Sequence, residues 1–213
     1  MLFVFAIAMM AGAVSFANPP SFLPDMENSW VEMPECHSGE CYPVLFNVPN
    51  GTGSAFAEAR DFNTVQQVDA SIALYLRDSG GVPVLNFPRE DIWLDLPAGT
   101  SGWTRCPLNG TIADTDSDAF GVTTWVNPLF AGGWTEGPTV VMINGNLLLS
   151  GNLNLAHNSP DINGDGYVNL TDVAMFAADF YGAYAFRSDF HYDGVLNLQD
   201  IAKLAQASGA TCP

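Results

Sequence analysis

The stretch SPDINGDGYVNLTDVAMF, Ser159–Phe176, places acidic and amide side chains at alternate positions of one tight loop and then passes straight into a helical pattern. With Asp161 as position 1, oxygen-bearing side chains fall at positions 1, 3, 5, 9 and 12: Asp161, Asn163, Asp165, Asn169 and Asp172. Gly166 stands at position 6, where the chain must bend, and Tyr167 at position 7 offers its main-chain carbonyl. The same design returns in SDFHYDGVLNLQDIAKLA, Ser188–Ala205. Laying Asp161 on Asp189 matches eight of eighteen positions, so the tail is an internal duplication. After each loop the period becomes helical. Val173, Phe176, Ala177 and Phe180 are expected on one face of the first helix, and Ile201, Leu204 and Ala205 on the second, with Gly182 and Gly209 ending the runs.

This is the ligand spacing of an EF-hand calcium loop. Calcium takes six to eight hard oxygens at about 2.3–2.6 Å, and a tight loop gathers them from alternate residues. Without an ion, carboxylates at this density repel one another. The second loop supplies Asp189, His191, Asp193, the Val195 carbonyl, Asn197 and Asp200, with Gly194 at the bend. His191 departs from the pattern, since imidazole nitrogen is a poor calcium ligand, and the second site is expected to be the weaker. Position 8 is apolar in both loops, Val168 and Leu196, and these are expected to pair. The competing reading is two acidic turns that merely cap two helices.

A loop with an exiting helix and no entering one (an F-hand), twice in about fifty residues at the end of a secreted chain, resembles a type I dockerin. The resemblance covers residues 159–210. It implies two bound Ca2+ ions, two antiparallel helices in pseudo-twofold relation, and docking onto a cohesin-like partner, often in polysaccharide-degrading assemblies. In that family loop positions 10 and 11 are often a small hydroxyl pair that contacts the partner. Here they are Leu170-Thr171 and Leu198-Gln199, so the partner contact departs from the family pattern. Leu170 and Leu198 belong either to the core or to an apolar docking patch.

Upstream, residues 36–157 read as β structure. SIALYLRD puts Ile72, Leu74 and Leu76 on one face, and Ala73, Tyr75 and Arg77 on the other. IWLDL alternates in the same way, GVTTWVNPLF is β-rich, and TVVMI-NG-NLLLS is a hairpin whose Asn144-Gly145 suits a type I′ turn. LYLRDSGGVPVLNFPREDIWLDL, Leu74–Leu96, resembles the Ig-like repeats of bacterial surface proteins. The expected fold is therefore mainly β: an Ig-like β-sandwich over 36–157, followed by a small α-helical tandem calcium-loop domain over 158–213.

The first seventeen residues are an apolar run ending in Ser15-Phe16-Ala17, read as a signal peptide, with 18–35 an extended segment. No later segment suits a membrane span. The expected location is secreted, extracellular or cell-surface. In an oxidising compartment the four cysteines, Cys36, Cys41, Cys106 and Cys212, form disulfides. Three pairings exist. The local pair Cys36–Cys41 is preferred, leaving Cys106–Cys212, and the alternative leaves Cys212 free or paired between molecules.

Acidic residues number 23 against 6 basic, a net charge of −17, which excludes nucleic acid and anionic lipid and favours divalent cations or a basic partner. Asp114, Asp116 and Asp118 alternate before Gly121, either a third cation loop or an ordinary acidic turn, the latter preferred. No nucleophile elbow, His-Glu-x-x-His or phosphate loop is present, so no catalytic residue is assigned and no enzyme is expected. His37, His157 and His191 read as surface residues. Trp93, Trp103, Trp125 and Trp134 either form a polysaccharide-binding face or, for at least two of them, fill the core, which is preferred. The function expected is thus a non-catalytic extracellular protein whose calcium-stabilised module attaches it to a partner. The alternatives are a carbohydrate-binding module carried by a dockerin, or a self-assembling surface or filament subunit that pairs through its edge strands or N-terminal arm.

Overall fold

Asn144 and Gly145 adopt φ of 49° and 78°, the left-handed pair that a type I′ turn requires, and they join β10 (Thr139–Ile143) to β11 (Asn146–Leu153). Around this hairpin a computed structural model describes residues 23–36 and 41–213. The expected signal peptide, residues 18–22 and His37 lie outside the described residues. β6 (Ile92–Asp95) completes a three-stranded antiparallel sheet in the order β11-β10-β6. A second sheet, β1-β5-β8, is built from β1 (Trp30–Glu32), β5 (Ile72–Tyr75) and β8 (Val122–Trp125). The alternation expected in β5 and β6 is present: Ile72, Leu74, Ile92 and Leu94 are buried, while their neighbours are half-buried. These residues meet Trp125, Val141, Ile143, Leu148 and Leu153 in one core. Residues 111–114 lace the two sheets together, since Leu94 N–H donates to Thr111 O, Ala113 N–H to Ile92 O, and Asp114 N–H to Thr124 O.

β1 belongs to the N-terminal segment 18–35 expected to be merely extended, so the β region begins at Trp30. It pairs with β5 of its own chain.

β2 (Pro43–Phe46), β3 (Ala59–Asp61), β4 (Gln67–Val68) and β12 (Ala156–Asn158) make a third sheet, β12-β2-β3-β4, with β12 and β2 parallel. β7 (Trp103–Arg105) and β9 (Ala131–Gly133) form a two-stranded ladder. β2 is buried on both faces. Leu45 enters the core just described, while Val44 and Phe46 enter a second one. That second core is made with Ile162, Val168, Phe176, Phe186, Phe190, Tyr192 and Leu204 of the tail. The tail contains α1 (Leu170–Phe180) and α2 (Leu198–Ala207). It is thus packed on the β structure through a shared core, with β12 running across the expected boundary.

Both disulfides have the preferred pairing, Cys36–Cys41 and Cys106–Cys212, and Cys212 is not free. Among the described residues no helix is long and apolar enough to cross a membrane.

Candidate cation loops and the exposed helix starts

The two loops share the bonds at positions 1, 5, 9 and 12. At position 12, the Asp172 carboxylate accepts the N–H groups of Asn163 (3.2 Å) and Asn169 (2.9 Å), and the Asp200 carboxylate accepts those of His191 and Asn197 (both 2.9 Å). At position 1, Asp161 accepts from Asp165 and Gly166, and Asp189 from Asp193 and Gly194. The position 5 carboxylates accept from the N–H of position 7, at 2.9 Å for Tyr167 and 3.0 Å for Val195. Asn169 and Asn197 cap their helices by accepting from Thr171 N–H (2.8 Å) and Gln199 N–H (2.7 Å). Their amide nitrogens turn back to the Tyr167 and Val195 carbonyls, each at 3.3 Å. The bend at position 6 needs glycine in both copies, with φ of 86° at Gly166 and 78° at Gly194.

Asp172 and Asp200 fix the phase of the helices. Each must face the loop interior while closing a capping box from the third helical position. The inner faces therefore run through Asp172 and Phe176, and through Asp200, Leu204 and Ala207. This corrects the expected faces, because Val173 and Ile201 lie one residue on, are turned outward, and are 42% and 38% exposed. Ala177 and Ala205 are exposed as well. The expected pairing of Val168 with Leu196 is also replaced. Val168 N–H donates to Ala210 O and its carbonyl accepts from Gly209 N–H, both at 2.9 Å.

The loop interiors hold carboxylates in unlike degrees of burial. Asp161 is fully buried. Burial pushes its carboxyl up to about 6, and the charges of Asp172 and Asp165 add to this against the Gly166 and Asp165 N–H groups. Burial likewise raises Asp200, with Asp189 adding to it. The bonds reaching the Asp161 carboxylate come from main-chain N–H groups, while the charged side chains beside it share its sign. Among the described residues no three His, Cys, Asp or Glu side chains converge as a metal cluster. The ligand scheme counts three carboxylates in each loop, Asp161, Asp165 and Asp172 in the first and Asp189, Asp193 and Asp200 in the second, so these would have to draw together around an ion. Asp161, Asn163, Asp165, the Tyr167 carbonyl, Asn169 and Asp172 would be the oxygen donors to a hard dication such as Ca2+. Asp189, Asp193, the Val195 carbonyl, Asn197 and Asp200 would be the donors in the second loop. There His191 is half-buried, and the Tyr184 hydroxyl donates to Asp189 at 3.0 Å.

Several contacts set the loops in place. Gly133 N–H of β9 donates to Asp161 O at 2.6 Å. Asn158 of β12 donates to Phe186 O (2.7 Å) and Asp189 O (3.1 Å). Arg187 makes a two-pronged pair with Asp179 at 2.8 Å, and its guanidinium holds that carboxyl below the usual range. Lys203, the one lysine of the chain, lies 4.3 Å from the Phe46 ring, and burial lowers its amine to about 8.

Leu170 and Leu198, at the two helix starts, are 83% and 78% exposed. Thr171 and Gln199 beside them are exposed too. Of the two roles open to the leucines, core or surface, the structure places both on the surface.

The other candidates do not assemble. Asp114, Asp116 and Asp118 accept main-chain N–H groups of Val126, Arg89 and Phe120 in three separate directions, as ordinary acidic turns do. Trp125 and Trp103 are buried, as the core reading required. Trp93 lies under the Arg105 guanidinium, and Trp134 packs on Phe186. His157 is not the surface residue expected. It is fully buried, stacked on Trp103 at 4.1 Å, and bonded through both ring nitrogens to Asn47 and Thr139. Its burial was illegible because Asn47 is 110 residues away in sequence.

No family model matches the chain, and no curated protein matches it. Among solved structures, the Lin-41 filamin domain aligns with 62% of this chain and 95% of its own, at 12% identity and a TM-score of 0.27. At that score the likeness carries no argument.

Proposed function

We propose that this is a secreted, non-catalytic protein whose tail is a dockerin-type module, stabilised by two Ca2+ ions and used to attach an Ig-like β domain to an extracellular partner. The observation that carries the reading is the repetition of the bonds at positions 1, 5, 9 and 12 in the two loops, with a buried aspartate at position 1 of each. A bound cation supplies the counter-charge these carboxylates lack, and the chain's own groups orient the oxygens through main-chain N–H bonds. The exposed pair Leu170 and Leu198 supports a partner at the helix starts, since the fold itself does not use them. With Val173 and Ile201, a leucine followed three positions on by a β-branched residue is presented twice. A cohesin-like protein is the partner class that the module resembles.

Calcium titration of the whole chain by calorimetry tests the first half. Uptake at two sites, the second weaker, is expected, and no uptake at millimolar calcium overturns it. Capture of a cohesin domain by the wild type, lost in Leu170→Asp/Leu198→Asp, tests the second half. Binding that survives both substitutions places the contact elsewhere.

The carbohydrate-binding alternative is disfavoured by the burial of Trp103 and Trp125. Assembly through the N-terminal arm is disfavoured by the pairing of β1 within its own chain.

A further inference from the structure

The loops differ in what holds their exit. Gly166 O accepts from Cys212 N–H at 2.9 Å, Tyr167 stands opposite Thr211 in a β-bridge, and Val168 exchanges two bonds with Gly209 and Ala210. Residues 209–212 therefore run as a strand along positions 6 to 8 of the first loop, around the position 7 carbonyl. Cys212 is joined to Cys106, which directly follows β7. The other end of the same loop, Asp161, is held by Gly133 of β9. β7 and β9 are partners, Trp103 opposite Gly133 and Arg105 opposite Ala131. One small ladder thus clamps the first loop at both ends, once by a main-chain bond and once through the disulfide. The second loop is held instead by Asn158 and Tyr184.

We propose that the disulfide-anchored C-terminal strand sets the cation affinity of the first loop alone, so that ion binding there and the redox state of Cys106–Cys212 are reciprocally linked. Cys212 acts as a positioning residue. Reduction by a dithiol transfers two electrons and two protons to the S–S bond. It leaves two thiols here and a cyclic disulfide on the reductant. The strand is then held by main-chain bonds only, and the position 7 carbonyl loses its fixed backing. By linkage, whatever factor reduction costs in affinity, the ion must return as resistance to reduction.

The inference rests on the calcium reading above, and the test separates the two. Gly166 and Gly194 donate to the position 1 carboxylates of their own loops, so their amide NMR signals report each site independently. In the full chain, Cys106→Ser/Cys212→Ser is expected to move the Gly166 midpoint to about ten-fold higher calcium, within the usual range of coupling between sites. The Gly194 midpoint should stay in place. On the unmutated protein, calcium should shift the Cys106–Cys212 equilibrium in a dithiothreitol buffer, read by mass spectrometry of alkylated cysteines, by the same factor. This second arm stands even if the double variant does not fold. Equal shifts at both glycines, or a redox equilibrium indifferent to calcium, overturn the inference. A response of neither glycine to calcium removes the site reading as well.

Discussion

Acidification from pH 7 to pH 5 should withdraw the stability that one buried side chain, His157, contributes. Thr139 Oγ1 donates to Leu155 O at 2.8 Å, so it accepts from His157 Nε2–H, also at 2.8 Å. Nδ1 accepts from the Asn47 amide at 3.1 Å. A second proton on the ring would face a donor, and the flanking Trp103 leaves no solvent to receive it. Burial accordingly lowers the imidazole from 6.5 to about 3. Between those values the unfolded chain carries a proton that the folded chain does not. Stability therefore falls as pH drops below 6.5, by about 1.36 kcal/mol per unit, or about 2 kcal/mol at pH 5. For a domain of this size that is about 4–8 °C in Tm. Asp161 and Asp200, both raised in the folded state, pull the opposite way, so the useful quantity is a difference between two proteins in which their contribution cancels. Urea melts of wild type and His157→Gln, followed by the fluorescence of buried Trp125, should diverge in pH dependence by about 2 kcal/mol between pH 7 and 5. Parallel curves would refute the assignment of a neutral, doubly bonded histidine.

Phe190 is fully buried and touches both Phe46 of β2 and Phe176 of α1. Phe190→Ala should cost about 3–5 kcal/mol and lower the melting of tail and sheets together. Chelation by EDTA should shift a single calorimetric transition downward rather than split it, because the second core joins tail and sheets; two resolved transitions would count against the shared core. Asp172→Ala removes both a loop oxygen and a capping-box partner, so about 1 kcal/mol of its cost should persist in chelator, measurable by denaturant titration. Leu170→Asp should change stability by less than about 0.5 kcal/mol, since the side chain covers nothing.

Where local rules decide, the sequence was legible. Asn144-Gly145 demands left-handed backbone and forms its hairpin; Ile72 and Leu74 alternate inward as written. The loop spacing around Gly166 and Gly194 reappears as a hydrogen-bond pattern. The helix faces were misread because an apolar period cannot see a carboxylate turned inward. Asp172 and Asp200 take the inner phase and rotate Val173 and Ile201 out. The tail's attachment was invisible for another reason. Val44 and Phe46 look like any strand residues, and only the fold shows that β2 has two buried faces. His157 reads as a surface residue because its partners are remote in sequence.

The duplication predicts symmetry, and the structure keeps it only in part. Main-chain bonds inside the loops, caps and helix phase are common to both copies, as they must be if each loop is to gather its own oxygens. What surrounds the loops is not common. The first is enclosed by β9 and the C-terminal strand, so its position 1 aspartate is buried under a neighbouring ladder; the second lies beyond Asn158, within reach of Tyr184. Leu170 and Leu198 escape both environments and remain equally exposed. Exposure lost on one side only would mark one copy as packing and the other as surface. Loss on neither side means that the β structure has attached itself to the loops while leaving the paired helix starts bare. The two leucines left in water at equivalent positions are the feature on which the proposed attachment to a partner rests, and Leu170→Asp/Leu198→Asp is the variant that tests it.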